Sequence, residues 1–161
     1  MDFQKLFLSA EGRIGRGEFW AGWCILFVIN LVVHFVPGLG QLIALVLIYP
    51  WVCVYTKRLH DMGKSGWLQL IPIVVFLAAI IIGVIAGGTA AIMGAMSGHS
   101  DADAGMAALG GFGLFFILLC LALLVSLVFL LWVGVSPTQP GANRYGPEPG
   151  TTDPLPPPAA V

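Results

Sequence analysis

The sequence predicts an all-α integral membrane bundle of four transmembrane helices, with the N and C termini on the cytoplasmic side. Three observations carry that expectation. The 161 residues are 58% hydrophobic and only 9% charged, where a soluble domain has roughly 25% charged residues. Four apolar runs interrupt the polar segments. If each run crosses once, all seven Lys and Arg residues fall on one side: Lys5, Arg13 and Arg16, then Lys57, Arg58 and Lys64, then Arg144. Cations are costly in hydrocarbon, and basic residues in short loops stay on the cytoplasmic face.

The spans are expected at about 19–36, 39–55, 67–88 and 112–135. The first begins too far from the N-terminus for a cleaved signal and lacks a small-x-small exit, so it reads as a retained anchor. It and the second span are near the lower limit for ~30 Å of hydrocarbon at ~1.5 Å rise per residue. Pro37-Gly38-Leu39-Gly40 leaves almost no loop between them, which predicts an antiparallel hairpin; a re-entrant hairpin is the alternative. Pro50 removes a backbone donor inside the second span and should bend it, whereas Pro72 falls in the first turns of the third, where the loss is small. Residues 87–111, rich in Gly and Ala, fit either an outer loop or an overlong helix end, and Asp101 and Asp103 suit the outer side. On this reading residues 1–149 are a single membrane domain. Residues 150–161 form a Pro-rich disordered tail, since proline fixes φ and lacks a donor.

Composition also excludes functions. A net charge of −1 is too balanced for a nucleic-acid binder. Cys24, Cys53 and Cys120 each lie inside an apolar run with no paired spacing, and read as buried small hydrophobes rather than metal ligands or disulfide partners. No cofactor and no metal are expected. Trp20, Trp23, Trp51, Trp67 and Trp132, with Tyr55, cluster near the inner ends of their spans, at the headgroup level where an amphipathic ring is favoured.

The polar inventory inside the spans is thin. Asn30 and His34 are four apart and share a helix face; an interhelical hydrogen bond near the outer end is expected, with a solute or proton path as the alternative. Gly83, Gly87, Ala91 and Ala95 recur every fourth position, a spacing that lets helix backbones approach within the fold or in a homo-oligomer.

The inner face carries the chemistry. Its segments are Gly12-Arg13-Ile14-Gly15-Arg16-Gly17-Glu18-Phe19-Trp20, then Thr56-Lys57-Arg58-Leu59-His60-Asp61-Met62-Gly63-Lys64-Ser65-Gly66-Trp67, then Gly141-Ala142-Asn143-Arg144-Tyr145-Gly146-Pro147-Glu148-Pro149. Upstream, Phe3, Leu6 and Phe7 have helical spacing and suit the headgroup layer. Ser65 is placed to cap the third helix. Arg13, Arg16 and Arg58 are fork-shaped donors suited to phosphate or carboxylate, and Glu18, His60 and Asp61 offer countercharges. The arrangement reads either as a self-satisfied cap of Arg–Glu and Arg–Asp pairs closed by Asn143 and Tyr145, or as a site for an anionic headgroup. His60-Asp61 also suggests an enzyme, but His34 and His99 fall at or beyond the outer end, too far away to complete a ligand set. No catalytic residue is assigned.

Together these three segments resemble the uncharacterised bacterial inner-membrane proteins grouped as domain of unknown function 805. The resemblance covers about residues 3–149, with Leu68 standing where a second Trp is common. It implies a multi-pass inner-membrane protein and supplies no reaction. The expected role is a non-enzymatic structural or regulatory module whose cytoplasmic cap binds anionic lipid or a membrane-protein partner; an oligomeric small-solute transporter or channel is the alternative.

Overall fold

The computed structural model describes residues 3–36, 38, 40–96 and 101–150. Its helices are α1 (Phe3–Leu8), α2 (Arg16–His34), α3 (Gly40–Asp61), α4 (Leu70–Met96) and α5 (Asp101–Val135), with a 3-10 turn at Gly66–Gln69 ahead of α4. Among the described residues there is no strand, only an isolated bridge between Asn143 and Gly146. α2, α3, α4 and α5 each contain a stretch long and apolar enough to cross a bilayer. Large aliphatic side chains stand exposed along them, Val46 at 72% and Ile117 at 64% among them. In water such a surface would drive association; in a bilayer it is the lipid-facing side.

The chain divides into two compact units, Met1–Gln69 with Trp132–Val161, and Leu70–Leu131. In the first, α2 and α3 form the expected hairpin. Phe35 N–H bonds the Val32 carbonyl (3.1 Å) to finish α2, Gly38 turns at φ +79°, and a Cβ on Gly40 would stand 2.6 Å from the Val33 carbonyl oxygen. Only glycine permits that tight a return. Phe19, Leu26, Cys53, Val54, Leu59 and Val133 form the core of this unit.

α1 is fastened to α3 by side chains. The last carbonyls of a helix have no partner within it; here Lys57 Nζ donates to the Lys5 and Leu6 carbonyls, and Tyr49 Oη to that of Leu8 (3.0 Å). Leu6 packs over Gly22 and is almost fully covered. α3 itself runs on to Asp61, six residues past the expected end of the span at 55. The extension is polar, and it stays helical because its charged side chains find partners within the unit.

In the second unit α4 and α5 are antiparallel. A Cβ on Gly83 would collide with the Phe115 ring, and one on Gly111 would lie 2.7 Å from Gly87 Cα. The glycines therefore act as close-approach points, as the four-residue spacing suggested for Gly83 and Gly87. For the same reason residues 87–96 and 101–111 are helical rather than an outer loop. The helices that carry the expected spans 67–88 and 112–135 extend beyond them: α4 begins at Leu70 after the 3-10 turn and ends at Met96, and α5 begins at Asp101. Of the cysteines, Cys53 is buried as expected, while Cys24 and Cys120 are exposed on their helices. The Pro-rich tail beyond Gly150 and residues 97–100 lie outside the described residues.

Candidate functional site

The polar end of the first unit is built around one carboxylate. Arg58 and Asp61, three residues apart, share a face in the last turn of α3, and both are fully buried. Arg58 Nη1 pairs with Asp61 Oδ2. From the loop before α2, Arg13 reaches the other oxygen, Nη2 to Oδ1 at 3.1 Å, its side chain only 1% exposed. Two guanidinium groups thus share a single aspartate, a local excess of positive charge that is met by backbone carbonyls.

Those carbonyls come from the last turn of α5 and the segment after it. Arg58 donates through Nε to Val133 (3.0 Å) and through Nη2 to Ser136. Arg13 donates through Nη1 to Gly141 (2.7 Å) and Gly146 (3.3 Å), and through Nη2 to Gln139. A guanidinium carries five N–H donors. Arg13 uses all of them on Asp61 and these carbonyls, and Arg58 uses three, with a fourth in a long 3.5 Å contact to Thr138 Oγ1.

Residues 136–149 form a folded strap. Gln139 N–H bonds the Asp61 carbonyl (2.9 Å), and Asn143 and Gly146 exchange two backbone bonds of 3.0 Å, a hairpin that Gly146 permits at φ +136°. Asn143 is its pin. Its Nδ2 donates to the His60 carbonyl (3.0 Å) and Gln139 Oε1 (3.1 Å), and its Oδ1 accepts from Tyr145 N–H (2.9 Å). Tyr145 stacks face to face on His60, ring centroids 3.6 Å apart and 5° from parallel. Glu148 accepts from Gly141 N–H at 2.7 Å. His60 Nδ1 is covered and has no hydrogen-bond partner among the described residues.

The structure therefore gathers Arg13, Arg58, His60, Asp61, Asn143 and Tyr145. The other residues singled out in the sequence do different things. Glu18 reaches back to Gly15 N–H (3.3 Å) at the start of α2, and among the described residues it forms no ion pair, so the expected Arg–Glu pairing is absent: Asp61 already absorbs both arginines. Arg16 is exposed. Trp20 lies against Gly134, where a Cβ would strike its ring, and edge-on to Phe19 at 5.7 Å. Ser65 Oγ accepts from Trp67 N–H (3.4 Å), capping the 3-10 turn rather than α4 itself. Trp67 is 77% exposed. Asn30 and His34 lie toward the opposite end of α2. The interhelical hydrogen bond expected for them is not formed among the described residues: His34 is exposed and borders a small cavity of about 130 Å³ at the hairpin turn.

Sequence reasoning gave Lys57 no role beyond its charge and place in the inner segment, and passed over Gln139. Lys57 adjoins Arg58 in a basic run, which suggests a snorkelling surface cation; its true role shows only once α1 presents carbonyls to it. Gln139 had no signal beyond its place in a Pro-rich stretch. Among the described residues no three His, Cys, Asp or Glu side chains group as metal ligands would.

The chain is similar to proteins already known. Residues 7–147 match the family model described as protein of unknown function (DUF805). Over 84 residues the chain is 33% identical to uncharacterized protein YiiR of Escherichia coli strain K12, covering 48% of this chain and 58% of that one. The chain thus spans little more than half the length of that relative. Over 94 residues it is 28% identical to inner membrane protein YhaH of the same strain, covering 48% of this chain and 74% of YhaH. No solved structure matches.

Proposed function

We propose a role for a chain that belongs to the DUF805 family and sits as a multi-pass protein in the inner membrane: a non-enzymatic structural or regulatory module. Its buried Arg–Asp cap faces the cytoplasm, and its outer cations meet anionic headgroups or a partner protein. One observation carries this reading. The donors of Arg13 and Arg58 are almost entirely engaged around a fully buried Asp61, with a strap folded over them. An anion-binding or catalytic centre keeps such groups open to a ligand, whereas a clasp closes them.

Arg16, Lys64 and Arg144 remain exposed. Lys64 lies 5.8 Å from the Trp132 ring centroid and Arg144 packs over Tyr145 at 4.6 Å. Cations held in this way at the headgroup level attract anionic lipid at ~1 kcal/mol per charge. His60, stacked on Tyr145 with its ring largely enclosed, has little reach as a general base.

Orientation is tested by labelling single cysteines at positions 2, 64 and 144 with a membrane-impermeant maleimide in intact spheroplasts. Protection of all three until the membrane is opened is expected; labelling of position 64 alone would overturn the shared compartment. Function is tested in vesicles containing phosphatidylglycerol. Reversing Arg16, Lys64 and Arg144 to Glu should reduce retention of that lipid by the purified protein. Solute or ion flux abolished by Asn30→Ala or His34→Ala would replace the module with a transporter.

A further inference from the structure

We infer that a second polar feature of the first unit, the cavity between α1, the loop before α2 and the end of the strap, is a binding site for a zwitterion with a phosphate and an ammonium a few bonds apart, as in a phosphoethanolamine headgroup. The cavity holds about 300 Å³, the share of roughly ten waters at ~30 Å³ each and at the lower edge of the range for small-ligand sites. It is separate from the exposed cations described above, and Arg13, which borders it, is already satisfied.

The strongest argument is Lys57. Its residue is 2% exposed, yet among the described residues it forms no ion pair. Two of its three ammonium protons go to the Lys5 and Leu6 carbonyls. A covered cation with no carboxylate at ion-pair distance, only the longer-range attraction of Glu18, is costly, and the cavity it lines is where an anionic oxygen would supply both a close charge and the acceptor for the third proton.

A simple anion is not the matching ligand. Glu11, Glu18 and Glu148 line the same cavity as Lys5, Lys57 and Arg13, so its formal charge is balanced. A lone phosphate would gain Lys57 and meet three carboxylates, and a lone amine would meet the reverse. A molecule carrying both charges is attracted by both, with its phosphate at Lys57 and its ammonium toward Glu11, whose exposed carboxylate has no partner among the described residues. Leu6 and Ile14, also in the lining, offer apolar surface to the stem that joins such a headgroup to a lipid. That the natural occupant is a membrane lipid rests on the placement of this end at the headgroups proposed above; the site itself does not.

The test uses full-length protein in detergent, with equimolar phosphatidylethanolamine and phosphatidylglycerol, read by native mass spectrometry. With Arg16, Lys64 and Arg144 changed to Gln, so that the outer cations no longer hold the glycerol lipid, the protein should retain the ethanolamine lipid roughly tenfold more than the glycerol lipid, and adding Glu11→Lys should invert that ratio without shifting the melting temperature. Equal retention of the two lipids, or a ratio that adding Glu11→Lys leaves unchanged, overturns the site. Lys57→Met should weaken both lipids; because it also loosens α1, the exposed Glu11 substitution is the deciding variant. Displacement by soluble glycerophosphoethanolamine at matching concentration supports the site with an aqueous occupant, and resistance to it supports the lipid. Failure of the cysteine-labelling experiment would move the site to the other leaflet and leave the lipid ratio unchanged, so the two ideas fail separately.

Discussion

Arg13 and Arg58, 45 positions apart in the sequence, converge on opposite oxygens of Asp61, and each also donates to carbonyls in the last turn of α5 or the strap that follows it. The carboxylate therefore fixes three segments at once: the loop before α2, the last turn of α3 and the return of the chain after its final span. Charge-assisted bonds of this kind are about twice as strong as neutral ones, and burial removes the water that would otherwise replace them. The expected consequence is steep. Asp61→Asn leaves two covered guanidinium groups without a counter-ion, and breaking a buried pair in this way costs about 3–5 kcal/mol. Thermal unfolding in detergent should show a large fall in stability, and limited proteolysis should cut the strap in the variant but not in the wild type. A variant as stable as wild type would mean that the carbonyls alone hold the arginines.

The α4–α5 hairpin offers a test with its own control. A Cβ at Gly111 would lie 2.7 Å from the Gly87 Cα, while one at Gly88 would meet nothing within 4 Å. Gly111→Val should therefore overpack the crossing and cost about 1–3 kcal/mol. Gly88→Val, with the same change in side chain on a neighbouring helix, should lie within about 0.5 kcal/mol of wild type. Equal losses at the two positions would show that helix propensity, not close approach, decides.

Much of this was legible in the sequence, and the reason is physical. Hydrocarbon demands long apolar runs, so four of them announced four spans, and Pro37 with Gly38 and Gly40 announced the first hairpin. The boundaries were less legible. A span ends for the eye where polar residues begin, but α3 continues through Lys57, Arg58 and Asp61 because partners elsewhere in the chain satisfy them. Likewise glycine at 87 and 111 looks like a helix breaker until a facing backbone makes it a contact point. In the site, residue types identified Arg13, Arg58, Asp61 and Asn143 as chemistry, yet only the geometry separates a closed clasp from an open anion site. Which carboxylate an arginine chooses depends on contacts too distant in sequence for spacing to reveal, so Asp61 rather than Glu18 was not foreseeable.

Gly134 and Trp20 form a matched pair of small and large. The Trp20 ring occupies the space a side chain at 134 would need, and it is hemmed in by Phe19 and by Trp23, the latter at 6.1 Å. Gly134→Ala should destabilise by about 1–3 kcal/mol. Trp20→Leu added to it should recover part of that loss, giving a coupling of at least about 0.5 kcal/mol in a double-mutant cycle. Strict additivity would place the cost in α5 itself. Tryptophan fluorescence should report the displaced ring in the single variant.

His60 separates a packing role from a chemical one. Its ring lies flat on Tyr145, and its covered Nδ1 finds no partner among the described residues, a state that costs about 1–3 kcal/mol when a polar atom is left unsatisfied. Phenylalanine keeps the flat ring for stacking and removes that nitrogen, so His60→Phe should hold or raise the melting temperature. Alanine removes the stack as well and should lower stability by about 1 kcal/mol or more. If the imidazole instead serves a ligand or a proton, His60→Phe would fold normally while losing whatever cellular phenotype the deletion strain shows and wild type restores. Complementation by His60→Phe alongside a preserved melting temperature is the expected pair of results, because the relief of the unpartnered Nδ1 offsets the loss of the ring's hydrogen bond to the Gly12 backbone and the stacking face is kept.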